Sequence, residues 1–190
     1  MAKLQAYQQA HPETTIDLIG HSAGSIVIAH LLTQTKRDYP DLHFRRVIFL
    51  APALTMDLFY KQVVTQQGQY DAFVCFTMKE ERELADMVFK PVYPHSLLYF
   101  VSGVLEGDTI APLTGLARFY ITPPHGKLPV QEPYILDCRD FLLADGRLVL
   151  SDTSPSAPSG QRCLALNHGA FNEEAQTLAS LQYLVAAPTI

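Results

Sequence analysis

The run Thr14-Thr15-Ile16-Asp17-Leu18-Ile19-Gly20-His21-Ser22-Ala23-Gly24-Ser25-Ile26-Val27-Ile28-Ala29-His30-Leu31-Leu32 decides how this chain is read. Residues 14–19 read as a strand, whereas residues 25–32 are apolar nearly all round, a pattern that suits a buried helix or a strand equally. The length of that run, to about Lys36, and the glycines ahead of it favour the helix. Between the two segments stands a G-x-S-x-G sequence, Gly20 to Gly24. A serine forced into a sharp strand-to-helix turn sits in strained backbone and is closely packed, so it needs small neighbours two positions to either side. Gly20 and Gly24 provide that room, and Ser22 would stand exposed above the sheet.

Working outward, Met1 to His11 is polar with Leu4 and Tyr7 on one side, the pattern of a short surface helix that turns at Pro12. Arg46 to Ala51 (RVIFLA), stopped by Pro52, and Tyr70 to Met78 (YDAFVCFTM) are compact apolar runs of the kind found in parallel sheets buried on both faces. Met56 to Thr65 and Lys79 to Val88 have helical character between and after them. Strand and helix alternate, which predicts an α/β fold with a mostly parallel sheet flanked by helices. Phe89 to Gly160 is less regular and reads as an insertion before the last strand. Within it, Ser96 to Leu105 is an apolar helix candidate, and Thr122 to Pro133 carries four of the 13 prolines. Asp145-Gly146 between apolar flanks (Phe141 to Leu150) predicts a hairpin, and Ser151 to Gly160 a flexible loop. Arg162 to Leu166 reads as a short last strand, and Asn172-Glu173-Glu174 as the opening of a final helix to about Ala186. One domain over residues 1–190 is expected, with an insertion or lid-like region at about 89–160.

The chain has 190 residues, of which 48% are hydrophobic and 17% charged, enough to bury a core; disorder, collagen and coiled coil are excluded. No run of about 18 apolar residues occurs, so no membrane span is expected, and Met1 to Gln9 lacks the features of a signal peptide. The formal charge is -5 and no basic cluster interleaves with aromatics, which argues against nucleic acid as a partner. Cys75, Cys138 and Cys163 show neither CxxC nor Cys/His ligand spacing, which argues against a disulfide framework or a structural zinc. Reduced thiols fit a cytoplasmic protein. A phosphate loop of the G-x-x-x-x-G-K-[ST] type, a G-x-G-x-x-G after a strand and an H-E-x-x-H are all missing.

In its setting between strand and helix, Gly20-His21-Ser22-Ala23-Gly24 resembles the nucleophile elbow of the α/β-hydrolase superfamily of serine esterases and lipases. The resemblance implies a triad in the chain order serine, acid, histidine. Ser22 would be the nucleophile, activated by a general base, and the Ala23 backbone amide would donate to the developing oxyanion. His168, before the final helix, holds the family position of the base. Among the other histidines, His21 belongs to the elbow, His30 to the buried helix, and His11, His43 and His95 to turns or flanks; His125-Gly126 is the main competitor. For the acid, Lys79 to Asp86 follows the second strand after the elbow. Nearness to the strand end favours Glu81 or Glu80 and residue type favours Asp86, with Glu83 between them and Asp108 further off. Glu81 and Asp86 stand as equal candidates, beside the alternative that this charge run is simply a solvated helix start. The implied chemistry is hydrolysis of an ester or related acyl bond in a small-molecule substrate, with neither metal nor organic cofactor. Residues 93–105 are apolar enough to line an acyl pocket or form a lid, or simply to be core.

The likeness runs from Thr14 onward but matches only the second half of that fold, because the family places about four more strands before the elbow strand. One of their loops donates a second oxyanion amide, worth roughly 3 kcal/mol. The expectations are therefore a shortened or truncated hydrolase, or a non-catalytic binding or assembly domain on the same scaffold. An unpaired edge along Thr15 to Ile19 is expected to be covered by part of residues 89–160 or to pair with another copy in a homo-oligomer.

Overall fold

The computed structural model describes residues 1–87, 95–106, 111–121, 132–144 and 146–187. Its centre is a four-stranded sheet made of β1 (Asp17–His21), β2 (Phe44–Leu50), β3 (Tyr70–Met78) and β4 (Leu148–Ser151). The spatial order equals the chain order and every neighbouring pair is parallel. Each strand step therefore needs a crossover. The connecting chain holds α2 (Gly24–Asp38) between β1 and β2, α3 (Met56–Gln62) and a 3-10 stretch between β2 and β3, and α6 (Pro133–Leu143) ahead of β4. Helix α1 (Ala2–Ala10) precedes β1, and α7 (Ala175–Ala186) closes the described chain.

Period-two alternation divides the sheet between two cores. Val47 and Phe49 of β2, with Phe73 and Cys75 of β3, face a large cluster completed by Ile28, Ala29 and Leu32 of α2, Met56 and Phe59 of α3, and Ile135, Cys138, Phe141 and Leu142 of α6. Ile48, Leu50, Val74, Phe76 and Met78 face a smaller cluster containing Cys163, Ala165 and Phe171, with Leu181 and Leu184 of α7 packed against it. Both central strands are thus covered on both faces, as their unbroken apolar runs require. Four phenylalanines bind α3 and α6 to the sheet: Phe73 lies 5.3 Å from Phe49, edge to face, and 5.2 Å from Phe141, while Phe59 lies 5.5 Å from Phe73 and 5.7 Å from Phe141. Phe59→Ala removes the ring common to both helices from a fully buried place. It is expected to cost about 3–5 kcal/mol and to lower Tm by about 10 °C or more. A thermal melt superimposable on that of the native chain would contradict this packing account.

The expected α2 forms and runs to Asp38, but it is not buried all round. His30 and Val27 are exposed, so its apolar stripe is Ile28, Ala29 and Leu32. Three other expectations are corrected. Residues 141–150 do not form a hairpin: Phe141 and Leu142 end α6, which Pro133 begins, and β4 pairs parallel with β3 after a turn at Gly146, whose φ is +71°. Buried Ile135, Cys138, Phe141 and Leu142 share one helical face, a periodicity that overrides the short-range turn signal. Residues 162–166 have no regular secondary structure and join no sheet; Cys163 bonds Thr153 instead, its carbonyl accepting from the Thr153 amide (2.9 Å) and its amide donating to the Thr153 hydroxyl (2.9 Å). β4 is the last strand among the described residues. Finally, Asn172 lies in a 3-10 turn, and α7 is capped by Glu174, whose carboxylate accepts from the Gln176 and Thr177 amides (2.7 and 2.8 Å).

The outer edge of β1 has no partner strand among the described residues, and Ile19 is 45% exposed there. The described part of the expected insertion packs elsewhere. α5 (Leu97–Phe100) and residues 111–121 bury Leu98, Leu113, Leu116, Phe119 and Tyr120 in the larger core, and Leu113 and Leu116 make isolated bridges to Thr55 and Met78. No helix among the described residues is long and apolar enough to cross a membrane.

Candidate active site

β1 ends at His21, and the chain reverses into α2 within two residues. The reversal places Ser22 at φ +53°, a left-handed conformation that a non-glycine residue holds only where its surroundings compel it. Several main-chain bonds do so. The Ser22 amide donates to the Leu50 carbonyl (2.9 Å), and the Ser22 carbonyl accepts from the Ser25 amide (3.1 Å), the Ser25 hydroxyl (2.6 Å) and the Ala53 amide (3.2 Å). The two flanking glycines are not equivalent. A Cβ on Gly20 would meet the Gly24 carbonyl carbon and Ile28 Cδ1, each at 2.8 Å, whereas a Cβ on Gly24 would meet nothing within 4 Å. Close packing thus demands glycine at position 20, and its neighbour across the turn is the backbone of Gly24.

His168 opens a 3-10 turn (His168–Asn172) that follows the irregular stretch 161–166. Its Nε2 lies 2.9 Å from Ser22 Oγ, across 146 residues of sequence. The imidazole is buried, and burial, reinforced by the neighbouring His21 ring, lowers its pKa to about 4. Its Nδ1 has no hydrogen-bond partner among the described residues.

Among the carboxylates, Asp86 reaches His168. Its Oδ2 accepts from the His168 main-chain amide at 3.0 Å. Asp86 is the residue that ends α4 (Glu80–Ala85), so one and a half turns of helix carry the chain from the end of β3 to the histidine. Glu81 is exposed and bonds no described residue; Glu80 accepts from the Tyr99 hydroxyl. Glu83 is fully buried, and burial pushes its carboxyl up to about 8 while the Ser96 hydroxyl pulls the other way. Asp108 and His125 lie outside the described residues. The Ala23 amide, one residue past Ser22 and exposed, donates to no acceptor among the described residues. Groups of three or more His, Cys, Asp or Glu side chains able to hold a metal do not occur among the described residues.

His21, read from sequence only as part of the elbow, also touches His168. Its Nε2 lies 3.1 Å from the His168 carbonyl oxygen, and the two rings lie 5.2 Å apart, tilted by 32°. Adjacency to Ser22 was the one signal that could have drawn notice to it.

The depressed pKa of His168 has a definite effect on stability. Between pH 6.5 and about 4 the unfolded chain binds a proton at this residue that the folded chain does not. Stability is therefore full above pH 6.5, falls as the pH drops through that window, and has lost this contribution, up to about 3 kcal/mol, below pH 4. Urea midpoints at pH 7 and pH 4.5 should differ more for the native chain than for His168→Gln; an equal acid sensitivity would contradict a buried neutral imidazole.

The four-stranded, all-parallel sheet flanked by helices is consistent with an α/β-hydrolase-like fold. A family model described as an alpha/beta hydrolase of unknown function (DUF900) matches residues 2–90, from α1 through β3 and α4. No curated protein and no solved structure gives a significant match.

Proposed function

We propose that the chain is a serine hydrolase that cleaves an ester or related acyl bond of a small molecule. The observation that carries this reading is the 2.9 Å contact between Ser22 Oγ and His168 Nε2, made by a serine in a strained elbow. In the proposed cycle His168 Nε2 takes the hydroxyl proton as Ser22 Oγ bonds the substrate carbonyl carbon. The Ala23 amide donates to the oxyanion, and the protonated imidazole returns its proton to the leaving group. Water repeats the sequence and frees Ser22. For Nε2 to accept, the resting imidazole carries its proton on Nδ1. Asp86, already held on the main chain of His168, is the carboxylate we assign to stabilise the imidazolium, in preference to Glu81.

The test is hydrolysis of an activated ester such as p-nitrophenyl acetate, followed against pH. Because the base is unprotonated down to its folded pKa, kcat/KM should keep its value on acidification and fall only near pH 4, where the group titrates. Asp86→Asn should reduce kcat, while Glu81→Gln should match the native chain. Native activity in Asp86→Asn with loss in Glu81→Gln would reverse the assignment of the acid.

The edge of β1, which pairs with no strand among the described residues, favours a second reading, an assembly domain on the same scaffold. A dimer mass in solution together with a Ser22 that stays inert toward activated esters would support it over the hydrolase.

A further inference from the structure

We infer that His21 is a positioning residue for the general base: by donating its Nε2 hydrogen to the His168 carbonyl it fixes the main chain that carries the imidazole. The inference rests on the serine-hydrolase reading above. A carbonyl oxygen can only accept, so the 3.1 Å contact requires the proton of His21 to lie on Nε2. His168 needs such a tie. It stands on neither strand nor regular α-helix but at the start of a short 3-10 turn, preceded by a stretch without regular secondary structure.

Two side chains supply what the local structure lacks. Asp86 accepts from the amide of His168 and His21 donates to its carbonyl, so both polar groups of that one peptide residue are gripped, while the ring is left to meet Ser22. The origin of the second grip matters. His21 is the last residue of β1 and is bonded covalently to Ser22, so the nucleophile and the anchor of its base move together. The His21 ring also lies beside the His168 ring, 5.2 Å away, and restricts its rotation from that side. A displacement of a catalytic group by about 1 Å can lower a rate by about a hundredfold. A single lost tie, with Asp86 still in place, should lower it by about tenfold or more.

The experiment compares the native chain with His21→Leu, His21→Gln and Ser22→Ala, measuring p-nitrophenyl acetate kinetics and the rate of labelling by a fluorophosphonate probe. Native protein that neither turns over nor labels at Ser22 overturns the hydrolase reading and this inference together. With an active native chain, the expected result for His21→Leu is a kcat lower by about tenfold or more, KM within about twofold, and an unchanged melting temperature. His21→Gln, whose amide can donate to the same carbonyl, should recover to within about threefold of the native rate. A native rate in His21→Leu, or a His21→Gln as slow as His21→Leu, overturns the role of His21 alone. The native protein gives a check that needs no variant: nitrogen NMR shifts of His21 at neutral pH should report the Nε2–H tautomer, and the Nδ1–H tautomer would overturn the inference.

Discussion

Ser22→Ala is expected to lower ester turnover by about four orders of magnitude or more while leaving the melting temperature within a few degrees of native. The substitution deletes one atom. Ser22 Oγ bonds His168 Nε2 and no other described group, so its loss removes no structural tie that the elbow depends on. The left-handed backbone at φ +53° is held by main-chain bonds to Leu50, Ser25 and Ala53, and alanine can make all of these as serine does. What disappears is the oxygen that attacks in the proposed cycle. The remaining donors can bind a substrate and polarise its carbonyl, but they cannot divide the reaction into acylation and deacylation. Steady-state kinetics on protein of matched circular dichroism checks this. Turnover within about tenfold of native would mean that the chemistry occurs at another residue.

His168→Ala should be nearly as severe at neutral pH, and the double variant Ser22→Ala/His168→Ala should be no worse than either single one. A nucleophile and its base act as a unit, so removing the second member of a broken pair costs little. The fold should survive, because Asp86 and His21 grip the main chain of residue 168 and not its ring. His168→Ala is also expected to shed part of the acid sensitivity of the native chain, since the buried imidazole that resists protonation is gone. Losses in the double variant that equal the product of the two single losses would show that Ser22 and His168 act independently, against the proposed cycle.

The parts legible in the sequence were those whose signal is local. Arg46 to Ala51 and Tyr70 to Met78 are so continuously apolar that only a central strand of a covered sheet accommodates them, and both are strands here. In Gly20 to Gly24 the turn is legible at Gly20, where the close approach of the Gly24 backbone and Ile28 leaves no room for a Cβ and so marks the residue type. The misread segments are those in which long-range packing decides. Asp145-Gly146 carries a strong hairpin signal, yet the buried face of α6 prevails over it, and the strand that follows finds β3. Residues 162–166 have the apolar content of a strand, but they join no sheet, and Cys163 bonds Thr153 just past the end of β4. Spacing leaves Glu81 and Asp86 equal as candidates for the acid, because the direction the chain takes through α4 after β3 is not written in residue type: Glu81 faces solvent and Asp86 reaches the His168 amide, the contact on which the proposed assignment of Asp86 rests.

In the proposed cycle Ser22 and His168 form a working nucleophile and base. Its most direct test is intact-mass analysis after exposure to a fluorophosphonate probe, with the adduct mapped by peptide sequencing. One adduct is expected on the native chain, located at Ser22, absent from Ser22→Ala and strongly slowed in His168→Ala. A well-folded native chain that takes up no probe, or takes it up equally well after Ser22→Ala, would contradict it.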